Sequence, residues 1–128
     1  MKRKKLTASM IALVMSVSLP MTTYAANWYL EDGSVTVNAD NSGQTVTQGG
    51  GSAVPDEAPV ITQRESSVET GNTIAISTSD NAAANVTIKD INIKSSNDAI
   101  DVKGSSSANI TLEGDNKIFS ETGSALHV

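Results

Sequence analysis

Three short stretches of this chain gather oxygen donors: Ser79-Asp80-Asn81, Asn97-Asp98 with Asp101, and Glu113 with Asp115. Calcium takes six to eight oxygens from carboxylates, carbonyls and water. Each stretch is therefore a candidate cation site, with Asp98 and Asp101 the leading pair for calcium. None matches an EF-hand loop or a glycine-aspartate nonapeptide repeat. The competing reading is that Asp and Asn favour tight turns by bonding their own backbone. The same carboxylates, with Lys103 and Lys117 as bases, are the materials of polysaccharide cleavage. That chemistry needs two carboxylates facing one groove, or a calcium with a basic residue as proton acceptor. Nothing links these groups into one constellation beyond closeness in sequence, so the chain is expected to be no enzyme. Cysteine is absent, which removes thiol nucleophiles and cysteine zinc sites, and the single histidine, His127, receives no role.

The ends of the chain say where such groups operate. Lys2-Arg3-Lys4-Lys5 precede the mostly apolar run LTASMIALVMSVSLP and then MTTYAAN. A basic segment, a short apolar segment and small residues before a cut form the pattern of a secretory signal peptide. Thr23 and Ala25 supply the small residues, placing the cut near Ala25 or Ala26 and making residues 1–25 the leader. The apolar run is too short and too rich in Ser and Thr to span about 30 Å of hydrocarbon. The expected destination is the medium or the cell surface, with no membrane insertion after cleavage. Beyond the leader only Arg64, Lys89, Lys94, Lys103 and Lys117 oppose fourteen acids, a formal charge of −9. Such a surface disfavours nucleic acid and anionic membranes as partners. With no disulfides, stability must come from packing and hydrogen bonding.

The elements that position these groups read as strands. SVTV (34–37), QTVTQ (44–48), PVITQ (59–63), NTIAIS (72–77), NVTIKDINIK (85–94), AIDV (99–102), NITL (109–112), KIF (117–119) and ALHV (125–128) carry β-branched residues at period two. Gly, Asn, Asp, Ser or Pro clusters bound them, and no convincing 3.6-residue apolar stripe follows the leader. TQGGGSAVPDEAP (47–59) breaks the rhythm and reads as a loop. The fold class is all-β.

Repetition sharpens this. Asn85-Val86-Thr87-Ile88 returns as Asn109-Ile110-Thr111-Leu112, 24 residues on, and Asn92 returns as Asn116. Ile74-x-Ile76, Ile100-x-Val102 and Leu126-x-Val128 recur at 26. Strands that recur at such an offset suit a coil in which each pass stacks on the last, forming parallel sheets around a continuous core of residues such as Ile88 and Leu112. Drift from 24 to 26 places insertions in the corners. Asn85 over Asn109 and Asn92 over Asn116 are expected to form side-chain amide ladders. Residues 26–63 read as an N-terminal cap and first irregular coil, and 64–128 as regular coils. A stop at Val128 without a polar cap reads as an N-terminal fragment of two to three coils, self-associating through an open C-terminal edge.

Together, NWYLEDGSVTV, SGQTVTQGG, APVITQ, NVTIKDINI and AIDVKG…NITLEGDNKI…SALHV resemble the secreted bacterial carbohydrate-binding domain-containing proteins across essentially the whole mature chain. The resemblance implies a right-handed parallel β-helix (a solenoid), export, and binding of acidic or cellulosic polysaccharide. It implies calcium at the helix turns in some members and no catalytic residue. Two alternatives remain: a structural cell-surface stalk or adhesin, and a fragment of a β-helical polysaccharide lyase or hydrolase. Aromatic rings, the usual stacking area for sugars, are scarce after the leader. Trp28 and Tyr29 are expected to cap the first coil, and Phe119, alternating with Lys117, to stack in the core. Glycan contact would then fall to rows of Asn, Asp, Ser and Thr on a flat sheet face.

Overall fold

The computed structural model describes residues 26–128, so the expected leader at 1–25 lies outside the described residues. The described residues are all-β, with one short 3-10 turn at Leu30–Asp32. The strands are β1 (Asn27–Tyr29), β2 (Val35–Asp40), β3 (Gly43–Gln48), β4 (Val54–Pro55), β5 (Val60–Thr62), β6 (Ile74–Thr78), β7 (Ala84–Lys89), β8 (Asn92–Ser95), β9 (Ile100–Gly104), β10 (Ala108–Glu113), β11 (Lys117–Ser120) and β12 (Leu126–His127).

They form three sheets, in the orders β12-β9-β6-β2-β3-β4, β10-β7-β5-β1 and β11-β8. Pairing is parallel along β2-β6-β9-β12, along β1-β5-β7-β10 and between β8 and β11. The copied segments are indeed neighbours: Asn109 lies opposite Asn85 and Leu112 opposite Ile88, while Leu126 lies opposite Ile100 and Ile100 opposite Ile74.

The offset changes only at corners. Glu113 pairs with Lys89, Lys117 with Asn92 and Leu126 with Ile100, so the register grows from 24 to 25 to 26. The first added residue falls in Gly114-Asp115-Asn116. There Gly114 has φ +68°, and a Cβ on it would lie 1.9 Å from Asp90 Oδ1. That insertion also breaks one expected ladder. Asn109 Nδ2 does donate to Asn85 Oδ1 at 3.0 Å. Asn116 instead accepts from Ile91 N–H and donates to Glu113 O, while Asn92 donates to Ser66 O.

The six-stranded sheet is mixed. Asp40 Oδ1 accepts from Ser42 N–H at 2.8 Å and from its hydroxyl at 2.6 Å, which closes a tight turn. The turn folds β3 back antiparallel on β2, and β4 then pairs antiparallel with β3. The 47–59 stretch therefore contains a strand: Pro55, with no N–H to donate, sits in the outermost strand of the sheet, where proline is tolerated.

Val35, Val37, Val46, Ile61, Ile74, Ile76, Ile88, Ile91, Ile93 and Leu30 form one buried core between the sheets. Alternation at period two sends every second side chain into it. Trp28 packs against that core from the N-terminal end, consistent with a capping position.

Candidate functional site

Inward burial leaves the outward residues of the six-stranded sheet as a continuous face. Register places Thr47, Thr36, Ala75, Asp101 and His127 in one row, and Thr45, Asn38, Ser77 and Lys103 in the next. All of these are at least partly exposed, and all but Ala75 can form hydrogen bonds. Adjacent rows along a strand lie about 7 Å apart and adjacent strands about 4.8 Å apart. The result is a flat grid of small polar groups five strands wide.

At its C-terminal end the grid becomes charged. Asp98, in the corner before β9, Asp101 in β9 and His127 in β12 bring one donor atom each within 4.8 Å of one another. His127 Nδ1 is 3.0 Å from Asp101 Oδ1 and 3.8 Å from Asp98 Oδ2. The other carboxylate oxygens are already held: Asp98 Oδ1 accepts from Ser124 N–H at 2.7 Å, and Asp101 Oδ2 faces Lys103 Nζ at 3.2 Å. The hydrogen bond to Asp101, reinforced by Asp98, raises the His127 imidazole above its usual value. His127 and then Lys103 hold the Asp101 carboxyl below its own.

The two aspartates singled out for calcium are thus adjacent, and they are joined by the histidine that sequence reasoning passed over. The signal for His127 was present in the repeat itself, because the 26-residue offset that aligns Leu126 with Ile100 also sets His127 beside Asp101. Two carboxylates and an imidazole supply fewer oxygens than calcium takes, and Lys103 competes for one of them, so the group fits calcium poorly. A nitrogen with two carboxylate oxygens is a donor set closer to zinc-like divalent metals.

The other candidates separate. Asp80 and Asn81 both adopt positive φ, 56° and 59°, as turn residues do. Glu113 and Asp115 flank the corner at Gly114, where Asp115 N–H donates to Asp90 Oδ1 at 3.0 Å. Neither group is part of the Asp98–Asp101–His127 cluster. Lys117 lies on β11, in the two-stranded sheet rather than beside Lys103 on β9.

Phe119 departs from expectation. Ile118, opposite the buried Ile93, is the residue of β11 that packs on the core, while Phe119 lies opposite Lys94 and is 55% exposed. The alternation with Lys117 was itself the clue, since residues two apart on a strand share a face. Tyr29 carries the Arg64 guanidinium 4.1 Å from its ring centroid, and Arg64 also grips both oxygens of Asp32 at 3.0 and 2.8 Å. That bidentate contact holds the Asp32 carboxyl low and ties the 3-10 turn to the chain after β5.

No protein-family model, curated protein or solved structure matches this chain.

Proposed function

We propose that the chain is an exported, non-catalytic polysaccharide-binding module built as a right-handed parallel β-helix. The stacked parallel strands at offsets of 24 to 26 support the coil, and right-handed crossovers are the rule between parallel strands of one sheet. The observation that carries the binding reading is the two-row polar grid on the six-stranded sheet. A regular array of hydroxyl, amide and charged groups matches the repeating hydroxyls of an extended glycan, and the small side chains leave the face open to a flat chain. The −9 charge after the leader favours a neutral, cellulosic polymer over an acidic one.

Retention in native gels containing soluble cellulosic or pectic polymers tests the reading. The chain is expected to be retarded by the cellulosic polymer, and Ser77→Tyr, which plants a bulky ring mid-grid, is expected to abolish the shift. Thr111→Tyr on the four-stranded sheet is expected to leave it intact. Absence of retardation by every polymer would sink the binding reading. Loss of retardation in Phe119→Ala with Ser77→Tyr still bound would move the contact to the two-stranded sheet.

A further inference from the structure

Asp56 is 1% exposed, yet no Lys, Arg or His among the described residues lies within ion-pair distance of it. Its side chain is fully engaged. Oδ1 accepts from Ala58 N–H at 3.1 Å, and Oδ2 accepts from Trp28 Nε1 at 2.8 Å and from Ala26 N at 3.1 Å. A buried carboxylate without a counter-charge is costly, and neutral donors offset only part of that cost. One of the three donors, however, is the nitrogen at the boundary of the expected leader.

We infer that cleavage between Ala25 and Ala26 turns the Ala26 nitrogen into the counter-ion of Asp56, locking the first strand onto the N-terminal end of the fold. This rests on the export reading. In the uncut chain Ala26 N belongs to a neutral amide with one hydrogen. A signal peptidase breaks the Ala25–Ala26 C–N bond with one water: the hydroxyl goes to the Ala25 carbonyl carbon, and the nitrogen takes the hydrogen. Protonation at neutral pH then gives an ammonium with three donors, and the same 3.1 Å contact becomes a charge-assisted bond.

The structure also chooses between the two cuts that the residue pattern leaves open. Ala26 O accepts from Val60 N–H at 3.0 Å, so Ala26 is itself part of the first-pass pairing. A cut after Ala26 would remove both this acceptor and the donor to Asp56. It would start the chain at Asn27, the exposed first residue of β1.

The described strands lie within 26–128, so the test uses that chain, released from a fusion to leave Ala26 as its first residue. It is compared with the same chain carrying one extra N-terminal glycine, each with Asp56 or Asp56→Asn. The glycine restores a neutral amide at Ala26 and moves the ammonium away. It is expected to lower the melting temperature by about 4–8 °C when Asp56 is present, and to change nothing in Asp56→Asn. A glycine with no effect, or with the same effect in both backgrounds, would overturn the inference.

If Asp56→Asn does not fold, NMR titration of the unmodified Ala26 amine, followed through a 13C label on the Ala26 methyl, decides. A midpoint raised above about 7.7–8.0 supports the contact, and an unshifted one overturns it. The mass of the exported protein separates this inference from the reading beneath it. No product outside the cell overturns export, whereas an exported product that keeps its leader or starts at Asn27 overturns the inference and leaves export standing.

Discussion

The two ends of the molecule solve the same problem differently. At the N-terminal end the irregular first strands leave backbone groups that no described strand reaches, and amide side chains meet them. Gln44 accepts from Asn85 N–H at 2.8 Å and donates to Asn85 O and Asp56 O, both at 3.0 Å, standing in for a missing strand. Gln63 does the same for Asn92 N–H and Val68 O, Gln48 for Tyr29 O and Gly33 O, and Asn72 for Leu30 O. Leu30 and Ile61 are fully buried beneath this layer.

At the C-terminal end the strands repeat faithfully, but nothing among the described residues covers the last of them. Ile88 is 0% exposed and its register partner Leu112 61%; Ile100 is 3% and Leu126 53%. Ile100, Ile110, Leu112, Ile118, Ala125 and Leu126 line an apolar recess of about 330 Å³. Regular repetition yields good ladders but leaves the last described strands uncovered, and covering such strands takes irregular, polar and specific contacts.

The sharpest test of that contrast lies within one register pair. Ile88→Ala is expected to cost about 2–5 kcal/mol by urea denaturation, since it opens a cavity in the packed core. Leu112→Ala, the chemically similar change one pass later, is expected to cost about 1 kcal/mol or less. Equal costs would mean that the last pass is covered in solution. Next in size is Gln44→Ala, which removes the side-chain partner of Asn85 N–H, Asn85 O and the buried Asp56 O. A loss of about 1–3 kcal/mol is expected, together with faster hydrogen exchange at the Asn85 amide. Slow exchange there would show that another group replaces the glutamine.

The open end also has a consequence between molecules. Among the described residues, β10, β11 and β12 end their sheets beside the apolar recess, while Pro55 blunts the opposite edge of the six-stranded sheet. Association through this surface is therefore expected to stop at a tail-to-tail pair rather than grow into a filament. Sedimentation velocity across a concentration series should show a monomer–dimer equilibrium that Leu112→Lys with Leu126→Lys abolishes. A sharp monomer at every concentration, or open-ended polymers, would remove this part of the contrast.

Much of the C-terminal half was legible in the residues because it is written twice. Period-two alternation and the copied NVTI/NITL segments give the strands, their partners and even the Asn85–Asn109 bond. What escaped lies where register and spacing do not rule. The single run 85–94 is two strands, because Asp90 takes positive φ and turns a corner. The corner residue added at 114–116 then separates Asn92 from Asn116. In the first pass, nothing in the pattern of Gln44, Gln63 or Asp56 announces burial, because a buried amide or carboxylate is defined by distant partners. His127 escaped for a different reason: it was weighed as a lone residue and not as the register partner of Asp101.

That pair gives the smallest expected effect, and it reports on the last pass directly. The Asp101 hydrogen bond raises His127 above its ordinary 6.5. The attraction therefore contributes fully below about pH 6.5 and is lost as pH rises through the raised folded value. Asp101 is lowered from 3.8, so its contribution is present above that value and lost as pH falls through the lowered one. Between these limits the contact ties β12 to β9, although its exposure and salt screening keep the gain small. An NMR titration should place the His127 midpoint above 6.5, and Asp101→Asn should bring it down. Lys103 opposes the shift, so Lys103→Ala should push the midpoint higher. A midpoint indifferent to both changes would mean that β12 does not hold its register on β9 in solution, and the C-terminal end would then be frayed as well as open.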